Sequence, residues 1–415
     1  MEVLKIATAG SVDDGKSTLI GRLLYDTKSL TDDKLQAIEK SSKDKGYDYL
    51  DFSLATDGLV AEREQGITID VAHIYFATNN RNYIIADTPG HVEYTRNMVT
   101  GASTSKVSII LIDARKGVVE QTNRHFFINQ LLQVKHVIVA VNKMDLVDYS
   151  EGVYNGIKQD FEDLVARSTF GKQSIHFVPV SALKGDNIVE KSVNTSWYDG
   201  EDILSLLESI PTKIETKKTR TRFPVQQVIR PKTSEFHDYR AYAGKLYGGS
   251  LNVGDTITVL PSKTESTIKE ISFFGDHFGS AEAGASISIQ LDHDINVSRG
   301  DMIVKSDELP GVDKQLRAYI AWLDAKPLQS GAKFILQHGV HQVLARVEKI
   351  EKVVSTDFSG SIFGQKQVKL NEIASVSFKL NKAIYYDAFN ENPSNGSFIL
   401  IDEQSNHTSG VGFIR

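Results

Sequence analysis

The stretch Gly10-Ser11-Val12-Asp13-Asp14-Gly15-Lys16-Ser17 sets two glycines, a lysine and a hydroxyl at the spacing Gly-x-x-x-x-Gly-Lys-Ser. Glycines let the backbone curl so that its N–H groups converge on phosphate oxygens, and the start of a following helix adds partial positive charge. Lys16 would then neutralise the β- and γ-phosphates and Ser17 would ligate Mg²⁺, while Gly10, Val12, Asp13, Asp14, Gly15 and Thr18 complete the cradle. That is chemistry for a nucleoside triphosphate. Asn142-Lys143-Met144-Asp145 closes an apolar run farther along. An Asp there can accept from the N1–H and the exocyclic N2–H₂ of guanine; adenine lacks that donor pair, so a buried carboxylate would be left unmatched. Ser181-Ala182-Leu183, at another strand end, would present a backbone N–H to the guanine O6. In this order, downstream of a phosphate loop, the motifs favour GTP and GDP over adenine nucleotides.

Two further stretches complete such a site. Asp87, ending the run Asn82-Tyr83-Ile84-Ile85-Ala86-Asp87, can hold Mg²⁺ through water, and the Gly90 N–H can meet the γ-phosphate. Thr68 offers a second hydroxyl, so Ser17, Thr68 and Asp87 are the candidate metal ligands. His91 follows Gly90 directly and is the candidate to orient the attacking water, a part that other GTPases give to glutamine. Lys16, Thr68 and His91 are thus the candidate catalytic residues. His338 and His341 lie three apart with no acidic or thiol partner in the pattern, and read as structural.

These motifs need elements that hold them still. Short apolar runs alternate with amphipathic stretches through the first half, the rhythm of a mostly parallel, doubly wound sheet with crossover helices. The stretch Ile69 to Asn80 alternates better than the other runs and leads through a polar turn at Asn79-Asn80-Arg81-Asn82 into the next apolar run, which predicts an antiparallel edge hairpin. Thr27 to Leu59 reads as a surface excursion. After Pro211 the pattern becomes short β segments punctuated by Gly, Asp and Asn, enough for two small barrels. The charged run from Lys213 to Arg222 reads as a solvated linker. The expected domains are therefore residues 1–215, 216–310 and 311–415: an α/β P-loop GTPase domain followed by two β-barrels.

Bulk properties set outer limits. With 415 residues and 24% charged, the chain has the composition of a soluble globular protein of two or three domains. A net charge of −6 gives no global attraction to nucleic acid, and with Cys 0 there is no disulfide, thiolate zinc site or thiol nucleophile. No leader or membrane-length apolar run is evident, so a cytoplasmic protein is expected.

The residues also carry a family. "GSVDDGKS", "EREQGITID", "DTPGHVEYTRNM", "NKMD" and "SAL", followed by two β domains, resemble the translation-factor GTPases, the group of elongation factor Tu. The resemblance implies a GTPase domain with two barrels, a hydrophobic gate from Val12 and Ile67 flanking a catalytic His91, and phosphate and Mg²⁺ contacts from Lys16, Ser17, Thr68, Asp87 and Gly90. "GSVDDGKSTLIGRLLYD" and "LATDGLVAEREQGITIDVA" are similar to one branch, the GTPase large subunits of bacterial sulfate adenylyltransferases (ATP sulfurylases). Ser11 and Asp14 follow that branch rather than the "GHVD" loop of elongation factors. The resemblance implies a cytoplasmic role in sulfate assimilation and cysteine biosynthesis: GTP hydrolysis coupled to a nucleotidyl transfer in which a separate small catalytic subunit makes adenosine 5′-phosphosulfate and pyrophosphate. That subunit is the expected partner, in a heterodimer or larger assembly, with no membrane and no nucleic acid. The alternative is an elongation-factor-like GTPase that delivers aminoacyl-tRNA. No pyrophosphate loop and no second phosphate loop occur, so adenylyl transfer and any adenylylsulfate kinase are expected on other chains. No arginine finger is evident, so hydrolysis is expected to be slow and partner-stimulated.

Overall fold

The computed structural model describes residues 3–44, 46–47, 49–52, 72–88, 95–168, 171, 173–212, 219–231, 239–355, 358 and 360–415, except the side chains of Thr95, Arg96, Thr100 and Ser361. Ile67, Thr68, Gly90 and His91 lie outside the described residues. The chain divides into two compact units, Met1–Lys213 with Ser355–Ser361, and Ile214–Val354 with Ile362–Arg415.

The first unit is built on a six-stranded sheet. Its strands are β1 (Val3–Ala9), β2 (Ala72–Ala77), β3 (Asn82–Asp87), β4 (Val107–Asp113), β5 (His136–Asn142) and β6 (Ser174–Pro179), in the order β2-β3-β1-β4-β5-β6. All neighbours are parallel except β2, which runs antiparallel to β3 through the polar Asn79-Asn80 turn, as the alternation predicts. Every residue of β4 is buried, because helices cover both sheet faces and leave no solvent side to alternate toward. Helices α1 (Lys16–Asp26), α2 (Asp32–Asp44), α3 (Thr95–Ala102), α4 (Glu120–Leu131), α5 (Glu151–Arg167) and α6 (Ile203–Ser209) follow in chain order. One face of the core joins Leu4, Ile6, Ile109 and Leu111 to Leu19 and Leu23 of α1 and to Leu207 of α6. On α4, Phe126 packs edge-on against Phe161 of α5, 5.0 Å between ring centroids. β1 lies between β3 and β4 and the connections diverge on either side of it, so its C-terminal end is the switch point where a doubly wound sheet opens a ligand crevice. The loop from Gly10 to Gly15 leaves from that end.

The second unit holds two closed β-barrels. Strands Phe223–Ile229, Ala241–Lys245, Thr256–Leu260, Thr264–Phe273, Ser286–Leu291 and Met302–Lys305 form the first ring, closed by pairing of Thr256–Leu260 with Thr264–Phe273. Strands Gly311–Trp322, Lys333–His338, His341–Val354, Ile373–Tyr386, Ser397–Ile401 and Thr408–Ile414 form the second, closed by pairing of Lys333–His338 with His341–Val354. The fold is thus an α/β P-loop domain followed by two barrels, the class the sequence patterns call for.

One sequence expectation fails here. The charged run ending at Arg222 was expected to be solvated, yet Arg222 is 1% exposed. Its Nε and Nη2 donate to the two carboxylate oxygens of Asp387 at 2.8 and 2.7 Å, and its Nη1 to the carbonyls of Thr221 (2.8 Å) and Glu308 (2.6 Å). Matching the fork of donors to fixed acceptors is what permits the burial. Asp387 also accepts from Asn395 Nδ2 (2.9 Å) and Asn392 Nδ2 (3.3 Å), so one ion pair ties the start of the first barrel to the second. His338 donates from Nε2 to the Asn395 carbonyl at 3.0 Å, and His341 Nε2 to that of Gly300 at 2.6 Å.

Candidate nucleotide site

β1 ends at Ala9 and α1 starts at Lys16, so the loop between them spans the Gly10–Gly15 segment. Asp13 and Gly15 take left-handed backbone, φ 65° and 94°. At Gly15 a β-carbon would also fall 2.4 Å from Asn142 Nδ2, so both conformation and space exclude a side chain. Lys16 is buried, its Nζ donating to the Gly10 carbonyl at 2.9 Å and the Ser11 carbonyl at 3.2 Å. Burial pushes its pKa down, opposed by the carboxylates of Asp87, Asp14 and Asp13. Asp14 is buried as well; its Oδ2 accepts the Ser11 N–H at 2.7 Å and its Oδ1 lies 3.5 Å from Lys116 Nζ. Burial raises the Asp14 pKa, against the Ser11 hydrogen bond and the Lys116 charge. Val12 lies half-buried within the loop, and Ser17 and Thr18 lie half-buried in the first turn of α1, where the helix N-terminus favours anions.

Asp87, the last residue of β3, pairs in register with Thr8 of β1, whose hydroxyl donates to its Oδ1 at 3.0 Å. That register brings a buried carboxylate within the field of Lys16. Asp87 and Ser17 are hard oxygen donors, which is the chemistry that suits Mg²⁺.

The base-reading end is joined to this loop by the side chains of Asn142 and Lys143. Asn142, at the end of β5, donates from Nδ2 to the Asp14 carbonyl at 2.7 Å and accepts the Ala182 N–H on Oδ1 at 2.9 Å. Lys143, left-handed at φ 64°, donates to the Asp13 carbonyl and pairs with Asp113 Oδ2 at 3.0 Å. Asp113 closes β4 and accepts from Arg115 Nε at 3.0 Å and Nη2 at 2.6 Å. Burial would raise the Asp113 pKa, but the Arg115 and Lys143 hydrogen bonds outweigh it and hold the carboxyl well below the usual range. Asp145 lies on a single turn of 3₁₀ helix, Met144–Val147. Ser181 and Ala182 are buried and Leu183 half-buried; the Leu183 carbonyl accepts from Arg22 Nη1 at 3.4 Å.

Three supporting groups were not read from the sequence. Asp113 carried a signal of the same kind as Asp87, a carboxylate closing an apolar strand. Asp186 accepts from the Tyr149 hydroxyl at 2.6 Å, and its carbonyl accepts the Ser181 N–H at 3.3 Å, which fixes the Ser181–Leu183 turn. Nothing in the spacing of Tyr149 and Asp186 announces that contact. His125, on α4, is wholly buried; its Nε2 lies 3.2 Å from Gln121 Nε2 and its Nδ1 has no hydrogen-bond partner among the described residues. Burial pushes its imidazole pKa down to about 3, with the charges of Lys16 and Arg124 acting in the same direction.

A glycine loop at a sheet switch point, a lysine at its centre and an Asn-Lys-x-Asp strand end in contact with it define a guanine-nucleotide-binding P-loop domain. Comparison with known proteins agrees: "Elongation factor Tu GTP binding domain" matches residues 1–216, and "GTP-eEF1A C-terminal domain-like" matches residues 315–415. Sulfate adenylyltransferase subunit 1 of Colwellia psychrerythraea is 45% identical over 100% of this chain and 88% of its own length. The Bacteroides fragilis subunit 1 is 46% identical over 100% of this chain and 86% of its own. The bifunctional enzyme CysN/CysC of Mycobacterium tuberculosis is 44% identical over 99% of this chain and 67% of its own. The chain belongs to the sulfate adenylyltransferase subunit 1 family of elongation-factor-Tu-like GTPases. No helix among the described residues is long and apolar enough to cross a membrane.

Proposed function

We propose that this chain is the GTP-hydrolysing regulatory subunit of a cytoplasmic sulfate adenylyltransferase, with its domains at residues 1–215, 216–310 and 311–415. The observation that carries the reading is the joined site: a phosphate loop and a guanine-reading loop share Asn142, in a chain 45% identical over its full length to a named subunit 1. The partner is the small catalytic subunit that forms adenosine 5′-phosphosulfate and pyrophosphate from ATP and sulfate.

In this mechanism the amides of the Gly10–Gly15 loop and the Lys16 ammonium hold the β- and γ-phosphates. Burial of Lys16 strengthens that attraction by excluding solvent. Asp145 reads the N1–H and N2–H₂ of guanine, and an amide of the Ser181–Leu183 turn meets O6. Ser17, Thr68 and Asp87 would hold Mg²⁺, which when bound offsets charge on the phosphate oxygens. Gly90 meets the γ-phosphate, His91 orients the attacking water, and Val12 with Ile67 shields it.

The test measures adenosine 5′-phosphosulfate made by the chain mixed with its small subunit, with ATP and sulfate, comparing GTP with a non-hydrolysable analogue. Hydrolysable GTP is expected to raise both rate and final yield. If GTP changes nothing and the chain instead binds aminoacyl-tRNA, the elongation-factor reading replaces this one.

A further inference from the structure

Helix α1 carries more than the phosphate lysine. Farther along it, Arg22 sends its guanidinium to the base-reading end of the site, where Nη1 donates to the Leu183 carbonyl at 3.4 Å. Gly185, in the same turn, is left-handed at φ 90°, and a β-carbon there would fall 2.5 Å from Arg22 Nη2 and 2.6 Å from Cζ. The backbone of the turn is therefore pressed against the cation at a place where only glycine leaves room. The Gly185 N–H donates to the Ser181 carbonyl at 2.8 Å and the Lys184 N–H to Ser181 Oγ at 3.2 Å, so Ser181 through Gly185 form one hydrogen-bonded turn.

The guanidinium is itself held by three groups. Its Nε donates to Asp26 Oδ2 at 2.8 Å, one helical turn on. Its Cζ lies 5.7 Å from the ring centre of Tyr25 and 5.5 Å from that of Phe52, the two rings being 5.0 Å apart. Phe52 is buried, and its backbone runs so close to α1 that a β-carbon at Gly21 would fall 2.2 Å from the Phe52 carbonyl oxygen. The neighbouring Asp51 N–H donates to Ser42 Oγ at 2.9 Å, which ties the same stretch to α2. An ion pair to Asp26 alone would leave the planar fork free to turn. The rings and the Gly185 backbone fix its plane and keep its remaining donor on Leu183.

We infer that Arg22 is a positioning residue for guanine recognition: it clamps the Ser181–Gly185 turn to α1 and so holds a turn amide where the base O6 is read. The inference rests on the base-reading role proposed above for Ser181–Leu183 and adds the side chain that sets it. Asn142 braces the turn from β5 at Ala182, and Arg22 braces it from α1 at Leu183 and Gly185. The same helix begins at Lys16, so the clamp references the base to the element that holds the phosphates. A donor preset in this way loses no freedom when the nucleotide arrives, which is how a group that never touches the ligand adds to its affinity.

The experiment measures the affinity of the full chain for GTP, inosine triphosphate and 2-aminopurine riboside triphosphate, by competition with a fluorescent GDP, in the parent, Arg22→Met and Phe52→Leu. The first two nucleotides carry O6 and the third does not. Arg22→Met keeps an unbranched side chain without its donors, and is expected to weaken GTP and inosine triphosphate alike by about fivefold while leaving the 2-aminopurine nucleotide unchanged. Phe52→Leu takes away one supporting ring, and is expected to give the same selective loss at about threefold. Equal weakening of all three nucleotides would make Arg22 a general brace of the helix and overturns the inference. So does an unchanged GTP affinity; both results leave the proposed function standing. If Arg22→Met does not fold, Phe52→Leu decides by the same comparison. A parent that binds the three nucleotides equally has no O6 reading to position, and overturns this inference together with the guanine recognition beneath it.

Discussion

Replacing Arg222 by Met leaves the Asp387 carboxylate buried without its cation. Both side chains are 1% exposed, and the guanidinium makes four hydrogen bonds of 2.6–2.8 Å. Removing one member of such a pair costs about 3–5 kcal/mol. Asn395 and Asn392 still solvate Asp387, which lowers that cost, while the Thr221 and Glu308 carbonyls each lose a donor, which raises it again, so the middle of the range is expected. The expected loss is about 4 kcal/mol. The chain has only two tryptophans, Trp197 in the first unit and Trp322 in the second, where it is buried with its indole N–H on the Lys326 carbonyl at 2.9 Å. In a Trp197→Phe background Trp322 fluorescence therefore reports the barrels alone. With a urea slope of about 2 kcal/mol/M, the midpoint should fall by about 2 M. The double variant Arg222→Met/Asp387→Leu removes the stranded charge and should recover about half the loss. A single-variant shift below about 0.5 M, or a double variant no better than the single, would refute the assignment of a barrel-joining ion pair.

Other expectations concern the first unit. Asp145→Asn should shift nucleotide preference from GTP toward xanthine triphosphate; unchanged competition by GTP would remove Asp145 from base reading. His91→Ala should slow single-turnover hydrolysis by about 10²-fold or more while sparing GTP affinity, and equal rates in mutant and parent would end its role. His125 has a folded pKa below its unfolded value, so its contribution is present above about pH 6.5 and is lost as pH falls, by about 1.4 kcal/mol per pH unit. Urea midpoints at pH 7 and pH 5, followed at Trp197 in a Trp322→Phe background, should differ less when His125 is Phe; an undiminished difference would show that the acid sensitivity lies elsewhere.

The sequence was most legible where one physical rule dominated. The seven buried residues of β4 are all apolar or small until Asp113, and the alternating Ala72–Ala77 strand could only be an edge. Gly15 and Lys16 could be placed by spacing because a phosphate loop allows no other residue types there. What could not be read are contacts whose partners are far apart in the chain and follow no period. Arg222 and Asp387 are separated by 165 positions, and a charge run gives no sign that its last member will be buried. Tyr149 and Asp186 meet because two loops bring them together, and His125 differs from a surface histidine only by the packing around α4.

Asn142 has a consequence for how a ligand would experience the site. Its amide touches the phosphate loop with one end and the Ser181–Leu183 turn with the other, so neither half can relax without the other noticing. The two ends of a nucleotide should accordingly be felt as one chelating ligand rather than as two independent fragments. Guanosine and pyrophosphate, offered separately, should each bind more tightly in the presence of the other, by one shared coupling free energy that is the same whichever is added first.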